Sequence, residues 1–185
     1  MSNKFFIDYF KFMQAGMESV NKDDLIVAAE KIRTVSQNGN KLMIVGNGGS
    51  AAMASHVSVD FTKAAEIRAI NFNEADLLTC FSNDYGYERV FEKAVDFYGD
   101  AGDLLILISS SGSSQNVVNA AKRAKELNMG VITFSGFKNN NPLCHFGDIN
   151  FWVDSKAYNI IEMTHHIWLL AIVDYIIGDI HYSAN

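Results

Sequence analysis

Two stretches of small polar residues each follow a short apolar run, and both have the composition of an anion-binding loop. In the first, the apolar residues 42–45 lead into Gly-Asn-Gly-Gly and then Ser50. Glycines such as Gly48 allow positive φ and let a ligand come close to the main chain. Ser50 is a good helix N-cap, and the free N–H groups at a helix start favour an anion. An ordinary strand-to-helix turn has the same composition, so this stretch alone leaves both interpretations open.

The second stretch, residues 104–116, has most of what a phosphate-binding loop needs, although it contains no lysine. An apolar run leads into serines, and Ser109, Ser111 and Ser114 supply hydroxyl donors beside backbone N–H groups. No Gly-Lys-Ser/Thr follows, which excludes a Walker A loop and argues against a nucleoside triphosphatase. A solvated loop is the alternative for a run of serines, but the position between an apolar strand and a helix favours an anion site.

The chain around these loops alternates predicted strands and helices. The predicted strands are residues 42–46, 68–72, 104–108, 130–134 and 149–153, and the predicted helices that follow them are 50–64, 74–82, 87–97, 114–127 and 158–177. This alternation predicts an α/β three-layer sandwich, with a mainly parallel sheet and helices on both faces. Ligands of such folds bind beyond the carboxyl ends of the strands, and both polar loops lie there.

Two further helices are predicted before the first strand. Residues 5–20 have apolar side chains almost all round the helix, a pattern typical of burial on several sides. A single domain covers only one side, so we expect a partner subunit to cover the rest. The second helix, residues 25–37, is predicted to be capped by Asp23 or Asp24 and to stop at Asn38-Gly39. We therefore expect one domain over residues 1–185, in which residues 1–40 form extra N-terminal helices involved in oligomerisation.

Composition excludes several classes of function. Hydrophobic residues make up 49% and charged residues 19% of the 185 residues, which is typical of a globular protein. The net charge of −6 argues against general binding to nucleic acid or to an anionic membrane. The two cysteines provide no disulfide framework and fit a reducing compartment. We find no signal-peptide pattern and no uninterrupted apolar run of about 18 residues, so we expect a cytoplasmic protein.

Three motifs together resemble the sugar isomerase (SIS) domain family, and within it the phosphoheptose isomerases. They are residues 46–52 followed by His56, the sequence Asn-Asp-Tyr-Gly at 83–86, and the serine-rich residues 109–114. The resemblance extends over almost the whole chain. It implies a flavodoxin-like three-layer fold and a homo-oligomer, usually a tetramer, with sites between subunits. It also implies conversion of sedoheptulose 7-phosphate to a heptose 7-phosphate for bacterial surface polysaccharide, lipopolysaccharide or capsule.

The resemblance also implies a set of substrate-binding residues. Ser109, Ser111 and Ser114 match the serines that bind phosphate in the family. Asn47 and Ser50 match positions that hold the sugar, and Gly48 lies between them in the same candidate site. Ser110 and Asp84 match further positions of the site. We therefore expect a phosphorylated sugar as the ligand.

The catalytic and metal-binding positions of the family are only partly kept. His56 matches a zinc ligand, and Asp60 stands where the family has a glutamate that binds zinc and acts as general base. The family's glutamine and histidine on the last helix are replaced by Ile161 and Leu169. His165 lies between them on the same helical face, because residues four apart stack. Zinc binding through His56, Asp60 and His165 would be weak, so we expect no cofactor.

Two classes of function follow from this pattern. The first is an aldose–ketose isomerase that acts on a phosphorylated sugar, with His56, Asp60 and His165 as its catalytic groups. The second is a non-catalytic phosphosugar-binding protein that acts as a sensor or adaptor. The phosphate loops fit both, and the lost glutamine and histidine favour the second. The retained acidic and histidine residues favour the first, which we take as the working hypothesis. For His165 or His166 an interface hydrogen bond is the alternative role, and for Glu162, which the family keeps, a structural role is open.

Overall fold

The computed structural model describes residues 3–181 and places five parallel strands in one sheet. The strands are β1 (Leu42–Gly46), β2 (Ala69–Ile70), β3 (Leu104–Ser109), β4 (Gly130–Ser135) and β5 (Ile149–Trp152), in the spatial order β2-β1-β3-β4-β5. Gly46 pairs with Ile108, and Ser109 pairs with Ser135. The carboxyl ends of β1, β3 and β4 therefore reach the same edge of the sheet.

Seven α-helices cover the two faces of this sheet. They are α1 (Asn3–Glu18), α2 (Lys22–Gln37), α3 (Gly49–Lys63), α4 (Ala75–Tyr85), α5 (Val90–Tyr98), α6 (Gln115–Glu126) and α7 (Tyr158–Ile177). Helices α2, α3 and α7 pack on one face, with α1 against α7, while α5 and α6 pack on the other. Short 3₁₀ turns lie at Tyr87–Arg89 and Pro142–His145. The predicted three-layer α/β sandwich with N-terminal helices is confirmed.

The alternation of side chains along each strand produces two hydrophobic clusters. Leu42 and Ile44 point to the α3 and α7 face, whereas Met43 and Val45 point to the α5 and α6 face. All five residues of β1 and all six of β3 are buried. A strand covered on both faces needs apolar residues at every position, which explains the continuous apolar runs in the sequence.

Several predicted boundaries are wrong, for local reasons. The strand predicted at 68–72 forms only two ladder residues, because the Asn71 and Asn73 side chains bond to Ser58 and Ser55 of α3. The cap of α2 is Asn21, whose side chain accepts a hydrogen bond from the Asp23 N–H, at 3.2 Å. Residues 83–85 continue α4 rather than forming a loop after it.

Helix α7 is long and apolar enough to cross a membrane by length and composition alone, and it is the one such helix among residues 3–181. Charged and polar residues interrupt this helix, so it does not contradict the expectation that the sequence holds no uninterrupted apolar run of about 18 residues. Its Ile161, Trp168 and Leu169 are buried in the cluster that covers the sheet, and it packs against α1, α2 and α3. This packing is typical of the core helix of a globular domain.

A buried carboxylate ties the amino ends of β1 and β3 together. Asp103 is 1% exposed and accepts hydrogen bonds from the backbone N–H groups of Lys41, at 3.0 Å, and Asp100, at 2.9 Å. The Lys41 ammonium and the Asn40 amide also donate to it. Burial alone would raise the pKa of Asp103, but these donors, led by Lys41, lower it below its usual value.

Replacing Asp103 with Asn tests this anchor. We expect the free energy of unfolding to fall by about 2–3 kcal/mol at pH 7, the scale of a hydrogen bond to a charged group. Because the folded pKa is lowered, this stabilisation is present above the unfolded pKa and is lost as the pH falls through the folded pKa. The difference from wild type in urea titrations should therefore shrink on acidification. Asp100→Asn, at the exposed partner of Lys41, is the control and should cost far less. A constant difference down to low pH would contradict this account.

Candidate active site

A cavity of about 220 Å³ lies at the carboxyl ends of β1 and β3. It is formed by the loops that follow these two strands and by the first turns of α7. Its lining residues are Asn47, Ser50, Ile108, Ser109, Ser110, Ser111, Ser114, Tyr158 and Glu162. Six of the predicted substrate-binding residues are therefore brought together, from two segments about sixty residues apart in the chain. Their individual roles in binding remain predictions.

The serine-rich loop is rigidly held and leaves donors free. The Gly136 N–H donates to the Ser110 carbonyl, at 2.9 Å, and the Leu143 N–H donates to the Gly112 carbonyl, at 3.0 Å. Gly112 has φ +60°, and a Cβ there would overlap with the buried Asn141 side chain, so only glycine fits. Ser114 caps α6 without a side-chain cap bond, which leaves the first N–H groups of α6 available to an anion.

Ser110 carries the clearest sign of a missing partner. Its side chain is 6% exposed, and its hydroxyl has no hydrogen-bond partner among the described residues. Buried hydroxyls in folded proteins are nearly always paired, because an unpaired polar group loses its bonds to water. Since Ser110 lines the cavity, a ligand oxygen in the cavity would satisfy it.

The loop after β1 is fixed by a network that the sequence analysis missed. Asn47 and Asn116 exchange two amide hydrogen bonds, each 2.9 Å long, and the Tyr87 hydroxyl donates to Asn47 Oδ1, at 2.8 Å. Asn116 is 2% exposed and belongs to the first turn of α6. The pairing therefore joins the loop after β1 to the helix after β3. No local pattern could have shown this contact, because the partners are 69 residues apart.

Glu162 decides which of the two loops is open to an anion. Its carboxylate lies so close to Gly49 that a Cβ at residue 49 would overlap with it. It therefore covers the start of α3, where the first loop would otherwise present its N–H groups to a phosphate. Burial raises the pKa of Glu162 above its usual value. A carboxylate at this position repels a second anion and so favours the serine-rich loop over the first loop for phosphate, which stays a prediction. Glu162 itself lines the cavity.

Two predicted site residues lie outside this cavity. Gly48 is the N-cap of α3, with φ +55°, and it takes the capping place that was predicted for Ser50. It is exposed and is not among the residues that line the cavity. Asp84 lies on the exposed surface of α4, where its carboxylate accepts a hydrogen bond from the Asn83 side chain, at 2.9 Å. Within one subunit, neither residue joins the serine-rich loop.

The prediction that the His165 side chain points into the active site is wrong. His165 does share a helical face with Ile161 and Leu169, but all three side chains are fully buried in the core. The ring nitrogen Nε2 pairs with the Ser135 carbonyl, at 2.9 Å, and Phe134 and Trp168 contact the ring. Burial lowers the pKa of His165 to about 4, so it stays neutral. This face packs on β4 because Ile161 and Leu169, one turn before and one turn after His165, are apolar and are buried in the core.

The next residue, His166, meets the predicted catalytic groups instead. Its ring lies edge-on to that of His56, with centroids 4.9 Å apart, and His56 Nε2 is 3.3 Å from Asp60 Oδ2. The Nε2 atom of His166 is buried without a partner among the described residues. Burial, and then the nearby His56, lower the pKa of His166, although Asp60 acts in the opposite sense. The prediction that His56 and Asp60 share one face of α3 is confirmed.

The metal-binding geometry implied by the family resemblance does not fit these residues. Ile161 and Leu169 have no donor atoms, and His165 is held by the Ser135 carbonyl away from Asp60. Within residues 3–181, no group of three or more His, Cys, Asp or Glu side chains is arranged to hold a metal ion. Catalytic zinc needs about three protein ligands, and His56, Asp60 and the neighbouring His166 do not form such a set. The expectation of no cofactor stays a prediction.

Comparison with known proteins identifies close relatives. The family model described as SIS domain matches residues 6–136. The phosphoheptose isomerase of Aliarcobacter butzleri is 37% identical over 161 residues, which cover 83% of this chain and 79% of that protein. The probable phosphoheptose isomerase of Thermoplasma acidophilum is 33% identical over 169 residues, which cover 86% of this chain and 92% of that protein.

Solved structures agree with the sequence relatives. The phosphoheptose isomerase GmhA from Neisseria gonorrhoeae superposes with a TM-score of 0.86 at 32% identity, covering 94% of this chain and 95% of that one. A phosphoheptose isomerase from Francisella tularensis also has a TM-score of 0.86, at 26% identity, covering 96% of this chain and 99% of that one. The similarity therefore spans the N-terminal helices as well as the sheet.

Ser110→Ala separates a binding role from a structural one. Because the hydroxyl is buried and unpaired, we expect its removal to leave the free energy of unfolding unchanged or slightly higher. Binding of inorganic phosphate, measured by calorimetry, should weaken by about 1–3 kcal/mol, the cost of losing one donor to a charged group. Ser36→Ala, on α2 and outside this cavity, is the control and should leave phosphate binding almost unchanged. Equal phosphate affinity in wild type and Ser110→Ala would rule out this hydroxyl as a ligand.

Proposed function

This chain belongs to the SIS domain family, and we propose that it is an isomerase of a phosphorylated sugar of the sedoheptulose 7-phosphate type. The reaction interconverts a ketose and an aldose, and its product serves the synthesis of bacterial surface polysaccharide. The observation that carries the proposal is the cavity itself, in which an unpaired buried hydroxyl and free helix N–H groups face a single carboxylate. The relatives at 33–37% identity, which are named phosphoheptose isomerases, support the substrate class.

In this proposal the phosphoryl group binds the serine-rich loop and the sugar extends along α3 and α7. Glu162 meets Gly49 at the cavity, and His166 meets His56 further along the same pair of helices. Four residues of helix span about 6 Å, so His166 lies about one turn beyond Glu162. Asn47, which is held by Asn116, and Glu162 contact the sugar hydroxyls between the phosphoryl group and the histidines.

Aldose–ketose isomerisation needs a base for a carbon-bound proton and a group that moves protons between two oxygens. We assign the base to Asp60 and the proton transfers to His56 and His166. In this assignment His166 takes the catalytic role that the sequence predicts for His165. The 3.3 Å contact between His56 and Asp60 supports their action as a pair. We further propose that the reaction needs no metal ion, because the donor set for zinc is incomplete.

A solvent-exchange experiment tests the reaction and the assignment. In deuterated water, wild-type protein with sedoheptulose 7-phosphate should place deuterium on the carbon next to the carbonyl, as followed by NMR. Asp60→Asn and His166→Gln should each slow the exchange by roughly 10²–10⁴-fold, the usual contribution of acid–base catalysis. His145→Gln, at an exposed histidine away from the cavity, is the matched control. Exchange that persists after treatment with a chelator supports the metal-free reaction.

The alternative function, a non-catalytic phosphosugar-binding protein, is supported by an observation of its own. Ile161, His165 and Leu169 are buried in the core, so the last helix lacks the polar face used by the family. A protein of this kind would bind a phosphorylated sugar as a sensor or adaptor without converting it. Tight binding of sedoheptulose 7-phosphate with no deuterium exchange, with or without added zinc, would favour this function over the isomerase.

The partners we propose are the phosphorylated sugar and further copies of the chain. Helix α1 carries Phe5, Phe6, Phe10 and Phe12, all more than half exposed in one subunit. An apolar patch of this size is unusual on a soluble monomer. We propose that residues 1–40 bury it in a symmetric homo-oligomer, a tetramer in the family's manner. With a net charge of −6, the protein is proposed to act in the cytoplasm without binding nucleic acid or membranes.

Substitutions on α1 test the oligomer. Burying one phenylalanine contributes about 1.5–3 kcal/mol, so Phe10→Ser should raise the subunit dissociation constant by roughly 10–100-fold. Sedimentation velocity at micromolar concentration should show an oligomer for wild type and smaller species for the variant. Phe97→Ser is the control, because Phe97 is equally exposed on α5, on the opposite face of the sheet. A wild-type protein that sediments as a monomer would refute the assembly.

A further inference from the structure

A second cavity, of about 530 Å³, adjoins the phosphate cavity on the other side of the serine-rich loop. Ser111 lines both cavities, and Ser113 lines only the second. The remaining wall carries Phe137, Lys138, Asn140 and Lys156. The proposed binding of phosphate and sugar in the first cavity involves none of these four residues.

The second cavity carries two positive charges that the protein does not neutralise. Neither Lys138 nor Lys156 forms an ion pair within residues 3–181, and no acidic residue lines the cavity. A basic cavity elsewhere shows the contrast, because Arg89 and Arg123 there pair with Glu92 and Glu126. Two ammonium groups on one cavity repel each other, and an anion between them relieves the repulsion.

The segments that carry the two lysines are fixed to each other. The Phe137 N–H donates to the Ser155 carbonyl, at 3.0 Å, and the Phe137 ring packs edge-on against Tyr158, with centroids 5.1 Å apart. Phe137 has φ +55°, an uncommon conformation for a bulky residue that persists only where its surroundings hold it. Asn141, itself buried, donates to the Lys138 carbonyl, at 2.8 Å. The two backbone segments that carry the lysines are therefore held beside each other at one cavity before any ligand arrives.

We propose that this cavity is a second anion subsite, which takes a phosphoryl or carboxylate group next to the phosphoryl group on the serine-rich loop. Lys138 and Lys156 supply the charge, Ser113 and Asn140 supply neutral donors, and Ser111 contributes to both subsites. The anion is either a second acidic group of the same ligand or a separate small anion. The inference rests on the proposed function only in placing a phosphoryl group on the serine-rich loop.

Calorimetry with two inorganic probes tests the subsite on the whole chain. Wild type should bind two inorganic phosphates per chain, and the double variant Lys138→Ala/Lys156→Ala should bind only one at phosphate concentrations that just fill both sites of wild type. Loss of both charges should weaken the second phosphate by about tenfold, the combined scale of two exposed ion pairs. Lys122→Ala, at a lysine on α6 that lies outside this cavity, is the control and should behave as wild type. One phosphate per wild-type chain, or unchanged binding in the double variant, would overturn the subsite.

Pyrophosphate distinguishes the two sources of the anion. If one ligand carries both groups, pyrophosphate should bind wild type more tightly than phosphate and displace both phosphates. If the anions are separate, pyrophosphate should show no such gain, while the two phosphates still bind. Ser110→Ala should remove only the first phosphate. A Ser110→Ala protein that keeps both phosphates would refute the serine-rich loop as the phosphate site and leave the lysine subsite standing, so the two proposals fail separately.

Discussion

The parallel register between β1 and β3 is the constraint on which the site depends. Because Gly46 lies opposite Ile108, the two strands end together and their loops meet across a narrow gap. A Cβ at residue 46 would overlap with Ser50 and approach the Ile108 carbonyl, so glycine permits this close approach. A shift of one residue in this register would separate the serine-rich loop from Ser50 and would turn every side chain of β1 to the opposite face.

The packing of α3 against α7 gives the two loops different capacities to bind an anion. Both loops begin helices, and helix starts attract anions in general. Glu162 removes this property from the first loop by placing a carboxylate over Gly49. The same helix pair then brings His166 to His56 further along. A single packing interaction thus places the Glu162 carboxylate over the first loop and brings His166 beside His56, and it does so through residues that are distant in the sequence.

Features that depend on residues close together in the sequence are predicted more accurately than features that depend on contacts between distant residues. The positions of β1, β3, β4 and β5 and the placement of the serine-rich loop at the edge of the sheet depend on local apolar runs and on the rule for parallel sheets, and they agree with the prediction. The strand β2 is shorter than predicted. The error at His165 has a different origin. Adjacent helical residues differ by about 100° in direction, so choosing between His165 and His166 needs the rotation of α7 about its axis. Ile161 and Leu169 set that rotation by packing in the core, and Asn116 and Tyr87 were missed for a similar reason of distance.

The buried polar atoms without partners show which surfaces the chain leaves for a ligand. Two of them, the Ser110 hydroxyl and the His166 Nε2, lie on the path from the serine-rich loop along α3 and α7. A third, the His165 Nδ1, lies in an apolar core, where a neutral ring carries a smaller penalty than a charged one. The difference matters, because a neutral histidine in the core can remain without a partner, whereas the Ser110 hydroxyl faces a cavity of about 220 Å³ that has space for one. Glu162 lines the cavity with Ser110 and lies one turn before His166 on α7, so this stretch presents a hydroxyl, then a carboxylate and then imidazoles. This order matches a molecule with an anionic end, a hydroxyl-bearing middle and a carbonyl at the far end, which is the chemistry of a phosphorylated ketose.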